Sequence, residues 1–187
     1  MVMWEKSPQI YKEVYLEGKK IPINRGMALG KEIADALEND LQTGDLVKDL
    51  VLAKMPRYEL MDQRIEAELG KGEERVPILI KPDSCRKDHT AFYEYKTGPD
   101  GNWNQGKVNR DTQMTFYATG LYLITGKIPT MELIHAPTEK DEEGRPSLVG
   151  DIKRYPTTRT KLDMMKMQVR MKKAWIEIGL MLQSELL

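Results

Sequence analysis

Apolar positions recur along the chain with two different periods, and the changes of period mark its elements. Residues 7–17 place Ile10, Val14 and Tyr15 on one side before Gly18, which predicts a short helix. After Pro22 and Asn24, residues 27–41 repeat apolar side chains at Leu29, Ile33, Ala36 and Leu37, the 3.6-residue spacing of an amphipathic helix, and Thr43-Gly44 closes it. Residues 45–55 continue as another helix that Pro56 stops, whereas 58–69 fit strand or helix equally. Val76-Pro77-Ile78-Leu79-Ile80 and residues 91–96 are short runs rich in β-branched or aromatic side chains and predict strands. The polar connector 84–90 between them is short enough to pair them antiparallel. Residues 98–109 then predict a loop, 111–125 a helix with Met114, Tyr117, Ala118, Leu121 and Tyr122 as its apolar positions, and 131–135 a strand. Residues 137–146, with Glu139, Lys140, Asp141, Glu142 and Glu143, are too charged for a core, 147–155 pair back as a further strand, and 158–187 form a long final helix. Helices, a strand cluster, a helix, more strands and a last helix predict a layered α/β or α+β fold in one domain over residues 1–187.

Composition narrows the class. The 187 residues are 40% apolar and 31% charged, as in a globular chain, and no apolar run approaches the ~18 residues of a spanning helix. Residues 1–10 interrupt any leader-like stretch with Trp4, Glu5, Lys6 and Pro8, so the expected location is the cytoplasm, with no membrane partner. One cysteine, Cys85, and two histidines, His89 and His135, exclude an internal disulfide framework and a cysteine- or histidine-rich zinc centre, which leaves oxygen ligands for any metal. Lys and Arg balance Asp and Glu at 29 each, so net charge draws no polyanion to the chain as a whole. Its distribution is uneven. Residues 32–74 are rich in acid, while Lys153, Arg154, Arg159, Lys161, Lys166, Arg170, Lys172 and Lys173 make the last part basic, which permits a polyanion partner and also fits a solvated helix face.

The chemistry concentrates in Lys81-Pro82-Asp83 and Glu94-Tyr95-Lys96-Thr97-Gly98. Side chains alternate along a strand, so Glu94 and Lys96 project from one face and Tyr93 and Tyr95 from the other. If residues 76–83 and 91–96 form a hairpin, Asp83 comes beside Glu94, and two carboxylates meet a lysine. Paired carboxylates offer hard oxygens to Mg²⁺ or Mn²⁺, and magnesium commonly takes one or two of them together with water and substrate phosphate. Lys96 would then position the attacking water or hold the phosphate. An isolated Glu-x-Lys is far more often a pair of solvated residues, so its weight depends on what accompanies it.

Pro82-Asp83 followed by Glu94-Tyr95-Lys96 matches the PD-(D/E)XK pattern, and the chain resembles that nuclease superfamily, in particular its RecB-type and bacteriophage exonuclease-like branches. Gln113-Met114-Thr115-Phe116-Tyr117 adds the Q-x-x-x-Y form seen after the catalytic lysine, on a predicted helix where residues four apart share a face. The resemblance implies a restriction-endonuclease-like core, a central mixed β-sheet flanked by helices. It implies divalent-metal-dependent hydrolysis of DNA phosphodiesters, with Mg²⁺ or Mn²⁺ as cofactor, Asp83 and Glu94 as ligands, Lys96 as the catalytic lysine, and Gln113 and Tyr117 orienting that lysine or contacting DNA. An exonuclease in phage-type recombination or DNA processing is the expected function, with DNA as partner, and a homo-oligomer and a phage recombination or replication protein as further candidates. Gly30-Lys31-Glu32-Ile33-Ala34-Asp35-Ala36-Leu37-Glu38 resembles the glycine-led helix whose histidine or acid completes the metal site in such proteins. Ala34 stands where the histidine is expected; Glu38 is the candidate substitute, with Glu32 its competitor. That departure keeps open a DNA-binding or scaffold module of the same fold without turnover. A hydrolase of small phosphate esters is a third reading.

The remaining residues carry less. His89 reads as a turn residue and His135 as a core or edge histidine. Met164, Met165, Met167 and Met171, with Leu162, Trp175, Ile178 and Leu182, predict a core-facing stripe on the final helix. Trp103 reads equally as an ordinary loop aromatic or as a ring on which an unpaired base stacks.

Overall fold

The computed structural model describes residues 7–184. Residues 1–6, part of the stretch read for a leader, and the last three residues of the expected 158–187 helix lie outside the described residues. Ser7 caps a first helix, α1 (Pro8–Tyr11), by accepting from the Ile10 amide at 3.2 Å, and a π-turn over Lys12–Leu16 extends it. No residue of either piece is buried, so Ile10, Val14 and Tyr15 do not anchor a core. Helix α2 (Arg25–Glu38) begins where the Asn24 side chain accepts from the Met27 amide, and it buries Leu29, Ile33, Ala36 and Leu37, the stripe predicted by period. Asp45 caps α3 (Leu46–Lys54) through the amides of Val47 and Lys48.

The central sheet has the order β1 (Leu60–Met61), β4 (Ser84–Cys85), β5 (Ala91–Pro99), β6 (Thr130–Lys140), β7 (Pro146–Leu148), and β8 (Lys153–Thr157) also pairs β6. It is mixed. β5 and β6 run parallel from Ala91↔Thr130 to Pro99↔Thr138, and every other pair is antiparallel. A parallel pair needs a long crossover, and the chain supplies it with a short helix, α4 (Gln105–Val108), and α5 (Thr112–Thr125), capped by Asp111. The final helix, α6 (Lys161–Ser184), lies beyond β8.

The expected hairpin between residues 76–83 and 91–96 is not formed. β3 (Val76–Ile80) pairs instead with β2 (Ile65–Leu69), from Ile65↔Ile80 to Leu69↔Val76, as a separate two-stranded sheet. The reason is matched alternation: both strands bury every second residue, so Ile65, Ala67 and Leu69 meet Val76, Ile78 and Ile80 on one face, beneath α5. After the Lys81-Pro82-Asp83 connector the chain enters the central sheet, and Ser84-Cys85, expected in a polar connector, pairs with Tyr93 and Phe92. Two further boundaries shift. β6 runs past residue 135 and buries Pro137 and Thr138, so the start of the 137–146 segment is interior despite its charged remainder, and the expected 147–155 strand is divided between β7 and β8.

Two apolar clusters cover the two faces of the sheet. Phe92, Met131, Leu133, Met114, Ala118, Leu121, Met167 and Met171 pack with the β2–β3 hairpin on one side, and Leu29, Ile33, Leu37, Val51, Leu52, Ile134 and Ala136 on the other. The result is a central mixed sheet flanked by helices, the α/β arrangement of a restriction-endonuclease-like core. On α6 the buried stripe is Met164, Met167, Met171 and Ala174; Leu162, Met165, Trp175 and Leu182 are exposed rather than core. No helix among the described residues is long and apolar enough to cross a membrane.

Gly120 sets how closely α5 lies on β3. A Cβ there would stand 2.7 Å from Ile80 Cγ2 and 2.9 Å from Cδ1, and Ile80 is 0% exposed. Alanine gains about 1 kcal/mol of helix propensity, while overpacking costs about 1–3 kcal/mol. Gly120→Ala is therefore expected to destabilise by about 1 kcal/mol in urea unfolding, and to become stabilising when made in an Ile80→Ala background. A destabilisation of equal size in both backgrounds would contradict the close approach as its cause.

Candidate active site

Asp83 sits where the chain passes from β3 to β4. Its Oδ2 accepts from the Tyr95 amide at 2.6 Å, and its own carbonyl accepts from the Asp62 amide at 3.0 Å. The carboxylate thus continues the β4–β5 ladder just past its last backbone pair and is fixed against β5. Along β5, Phe92, Glu94 and Lys96 share the face toward α5, whereas Tyr93 and Tyr95 pack toward α2 and α3. The alternation read from the sequence therefore holds. Asp83 comes beside Glu94 as anticipated, but from the connector leading into β4 rather than from a β3–β5 hairpin.

Glu94 is 2% exposed. Its Oε1 accepts from Lys96 Nζ at 2.5 Å, and its Oε2 is buried without a hydrogen-bond partner. The Lys96 side chain, 28% exposed, reaches from that buried acid toward the surface. Lys96 Nζ also donates to Gln113 Oε1 at 3.1 Å, and Gln113 Nε2 donates to the Tyr117 hydroxyl at 2.9 Å. Gln113 stands in the first turn of α5 and Tyr117 one turn later, the placement that a four-residue spacing on a helix demands. The Tyr117 ring meets Phe92 edge-on, with centroids 6.0 Å apart. Glu94, Lys96, Gln113 and Tyr117 are thus joined in one hydrogen-bonded row.

Burial sets the protonation of this cluster. It pushes Glu94 up to about 8, with the Asp83 charge adding to the rise and Lys96 opposing it. Asp83 is raised as well, by burial first, against the Tyr95 hydrogen bond and the Lys96 charge that favour its ionised form. Burial pulls Lys96 down, but the Glu94 carboxylate outweighs it and holds the ammonium above the ordinary lysine range. Burial likewise raises Tyr117, with the Glu94 charge second.

The donors fit a divalent ion in kind. Two carboxylates converge, one of them with a buried oxygen that has no partner, and this is the protein share that magnesium commonly uses. The third ligand expected from α2 is not there. Among the described residues no group of three or more His, Cys, Asp or Glu side chains is gathered for a metal. Glu38 is exposed, because it follows the buried Ala36-Leu37 pair round the helix, and Glu32 is engaged by Lys48 Nζ at 2.6 Å. The helix does come close: a Cβ on Gly30 would stand 3.2 Å from Thr97 Oγ1, next to Lys96.

Other expectations divide. Trp103 is not a free stacking ring: it packs against the core, its carbonyl accepts from the Tyr155 hydroxyl at 3.0 Å, and Lys107 Nζ lies 4.5 Å over its ring. His89 is the turn residue anticipated, with φ of 58°. The basic C-terminal part is less free than its composition suggests, since Lys153 pairs with Asp100, Arg154 with Glu132, and Arg159 is buried.

His135 pairs in register with Lys96 on the neighbouring strand and is fully buried, its Nε2 3.1 Å from the Gly98 carbonyl and its Nδ1 without a partner. Burial holds its pKa below the ordinary histidine value; the Gly98 carbonyl and Asp100 oppose that shift, and Lys153 and Lys107 reinforce it. The folded state therefore binds this proton less readily than the unfolded chain, and the associated stability is present above about pH 6.5 and lost as pH falls below it. Glu94, raised to about 8, works in the opposite direction and gains stability as pH falls. Between about pH 7 and 5 the thermal midpoint is therefore expected to fall relative to that of His135→Gln, which offers Gly98 a donor without titrating and leaves Glu94 in place. Equal slopes in the two proteins would remove His135 from the explanation.

No family model matches the chain, and no curated protein matches it. Among solved structures, it is similar to the crystal structure of a protein from Eubacterium rectale provisionally named an exonuclease. The identity is 14%, the TM-score is 0.49, and the match covers 88% of this chain and 70% of that one.

Proposed function

We propose that this chain is a divalent-metal-dependent deoxyribonuclease of the PD-(D/E)XK type, hydrolysing phosphodiester bonds and acting as an exonuclease in phage-type recombination or DNA processing. The observation that carries this reading is the row Glu94–Lys96–Gln113–Tyr117 beside Asp83, with an unpartnered carboxylate oxygen at its buried end. When bound between Asp83 and Glu94, Mg²⁺ or Mn²⁺ would supply Lewis-acid polarisation of a phosphoryl oxygen and a bound water of lowered pKa. The protein's own part is positional. Of the three donors on an ammonium, Lys96 commits two to Glu94 and Gln113, which leaves one for a phosphate oxygen or the attacking water. Gln113 is a positioning residue, since its carbonyl oxygen faces the lysine while its amide is held by Tyr117.

End-labelled linear DNA and closed circular DNA, each incubated with Mg²⁺ or Mn²⁺, test the proposal. Metal-dependent release of nucleotides from linear but not circular DNA is expected. Cleavage of the circle would change the mode to endonuclease. DNA binding indifferent to EDTA with no cleavage would favour the inactive module, the reading to which the ungathered Glu38 lends support. Activity on nucleotides but on no polymer would favour a small phosphate-ester hydrolase.

A further inference from the structure

A groove of about 1260 Å³ opens beside the Gln113–Tyr117 end of the row, walled by α1, β3, the first turn of α5, and α6. We infer that this groove is the track of an unpaired polynucleotide strand whose backbone is led toward Lys96. The inference rests on the nuclease reading of that site and adds which form of nucleic acid enters it and by which residues.

Charge is the first ground. Arg64, Lys81, Lys107 and Arg110 line the groove against one carboxylate, Asp111, which accepts from the Met114 amide at 2.8 Å. Lys81 is paired with Asp62, and Lys107 donates to the Asn102 carbonyl. Arg64 and Arg110 are different: both are exposed, and neither has a carboxylate partner among the described residues. In a chain of zero net charge, two arginines 46 positions apart in sequence have been brought to one concave surface with no ion-pair partner among the described residues. Their planar donor forks suit phosphate oxygens.

The second ground is the aromatic character of the walls. Tyr15, 61% exposed, and Trp175, 46% exposed, face the groove with Ile10 and Phe116. A duplex keeps its base faces stacked inside and would present sugar, phosphate and base edges, but no base face, to these rings. An unpaired strand bares each base face, and base-on-aromatic stacking along a cationic groove is how single strands are held without regard to sequence. Cations and exposed rings in one groove therefore favour the single strand. Gln113 and Tyr117 belong both to this groove and to the row that fixes Lys96, so a strand lying here arrives at the proposed chemistry without a second site.

The test is binding without turnover. Fluorescence anisotropy of a labelled oligothymidylate and of a closed hairpin duplex with no single-stranded tail is measured in EDTA across a range of salt. The oligothymidylate is expected to bind at least about tenfold more tightly than the hairpin, with affinity falling as salt rises. Arg64→Ala/Arg110→Ala should weaken it by about tenfold and flatten the log–log salt slope by roughly 0.7 for each phosphate no longer neutralised. Trp175→Ala should weaken it several-fold with the slope unchanged, as expected when a base is unstacked from a ring. Thermal melting checks that the variants fold, which the exposure of all three side chains favours. Equal or tighter binding of the hairpin, or a double-arginine variant indistinguishable from the parent in affinity and slope, would overturn the assignment. Because these measurements contain no metal, the two readings fail separately. Oligothymidylate binding with no metal-dependent cleavage would sink the nuclease alone, and Lys96-dependent cleavage with an unaffected arginine variant would sink the groove alone.

Discussion

Replacing Lys96 with alanine is expected to lower metal-dependent DNA cleavage by roughly 10²–10⁴-fold, the range measured when one acid–base group or one electrostatic donor is removed from an active site. The reason is geometric. Lys96 Nζ is the centre of the row, 2.5 Å from Glu94 and 3.1 Å from Gln113, and no other described cation is hydrogen-bonded to Glu94 or Gln113. The truncation also takes from Glu94 its hydrogen-bond partner, which costs about 1–3 kcal/mol for a buried polar group. The quantity to measure is accordingly the cleavage rate per folded molecule, with folding followed by circular dichroism. Gln113→Ala provides a graded comparison. It leaves the ammonium in place but frees it to swing, and a smaller reduction, of the order of tenfold, is expected. Undiminished cleavage by folded Lys96→Ala would refute the assignment of this site, and a Gln113→Ala effect as large as that of Lys96→Ala would show that the glutamine does more than position.

The second large effect concerns stability. Arg159 is 4% exposed and uses its whole guanidinium fork: Nε donates to Thr115 Oγ1, one terminal nitrogen to Thr157 Oγ1 and the Thr158 carbonyl, and the other to the Val108 and Asp111 carbonyls. One side chain thus fastens the end of α4, the turn into α5, the last residue of β8 and the approach to α6. Its acceptors are all neutral, and burial lowers its pKa, with Asp111 and Asp163 opposing. Arg159→Ala removes every one of these bonds and opens a cavity beneath α5. A destabilisation of about 2–4 kcal/mol is expected, which for a chain of this length shifts the thermal midpoint by roughly 5–15 °C. Arg159→Lys keeps the charge but has three donors on a flexible stem, so it should recover less than half. A destabilisation below about 1 kcal/mol for alanine would show that the surrounding oxygens find water or each other instead.

The site was largely written in local pattern. Strand alternation placed Glu94 and Lys96 together, helical spacing placed Gln113 and Tyr117 together, and the 3.6-residue stripe of α2 is the one that is buried. What local pattern could not supply was partnership. β3 has a regular alternation, but so does β2, and a stretch that fits strand or helix equally gives no reason to pair the two; the better match of buried faces won over proximity in sequence. β4 is two residues long, too short for any period to register, yet it carries the junction that brings Asp83 to β5. Arg159 was indistinguishable from its basic neighbours because its burial depends on oxygens from several separate segments. Glu38 failed for a related reason: a spacing of four residues fixes a helix face but not whether a side chain there reaches across to another strand. Cys85, by contrast, is buried with its thiol pushed up to about 12, in keeping with a residue that needs no chemistry.

The seam at Asp83 has a consequence of its own. One oxygen of this side chain acts as a substitute peptide carbonyl, closing the ladder at the Tyr95 amide, while the charge on the same group is what a cation would seek. Scaffold and chemistry are therefore superimposed on a single functional group, yet they demand different things of it, an acceptor in one case and an anion in the other. Asparagine satisfies the first demand alone. An Asp83→Asn protein should keep its architecture while surrendering its reactivity, so the two duties, inseparable in the native side chain, can be taken apart with one substitution.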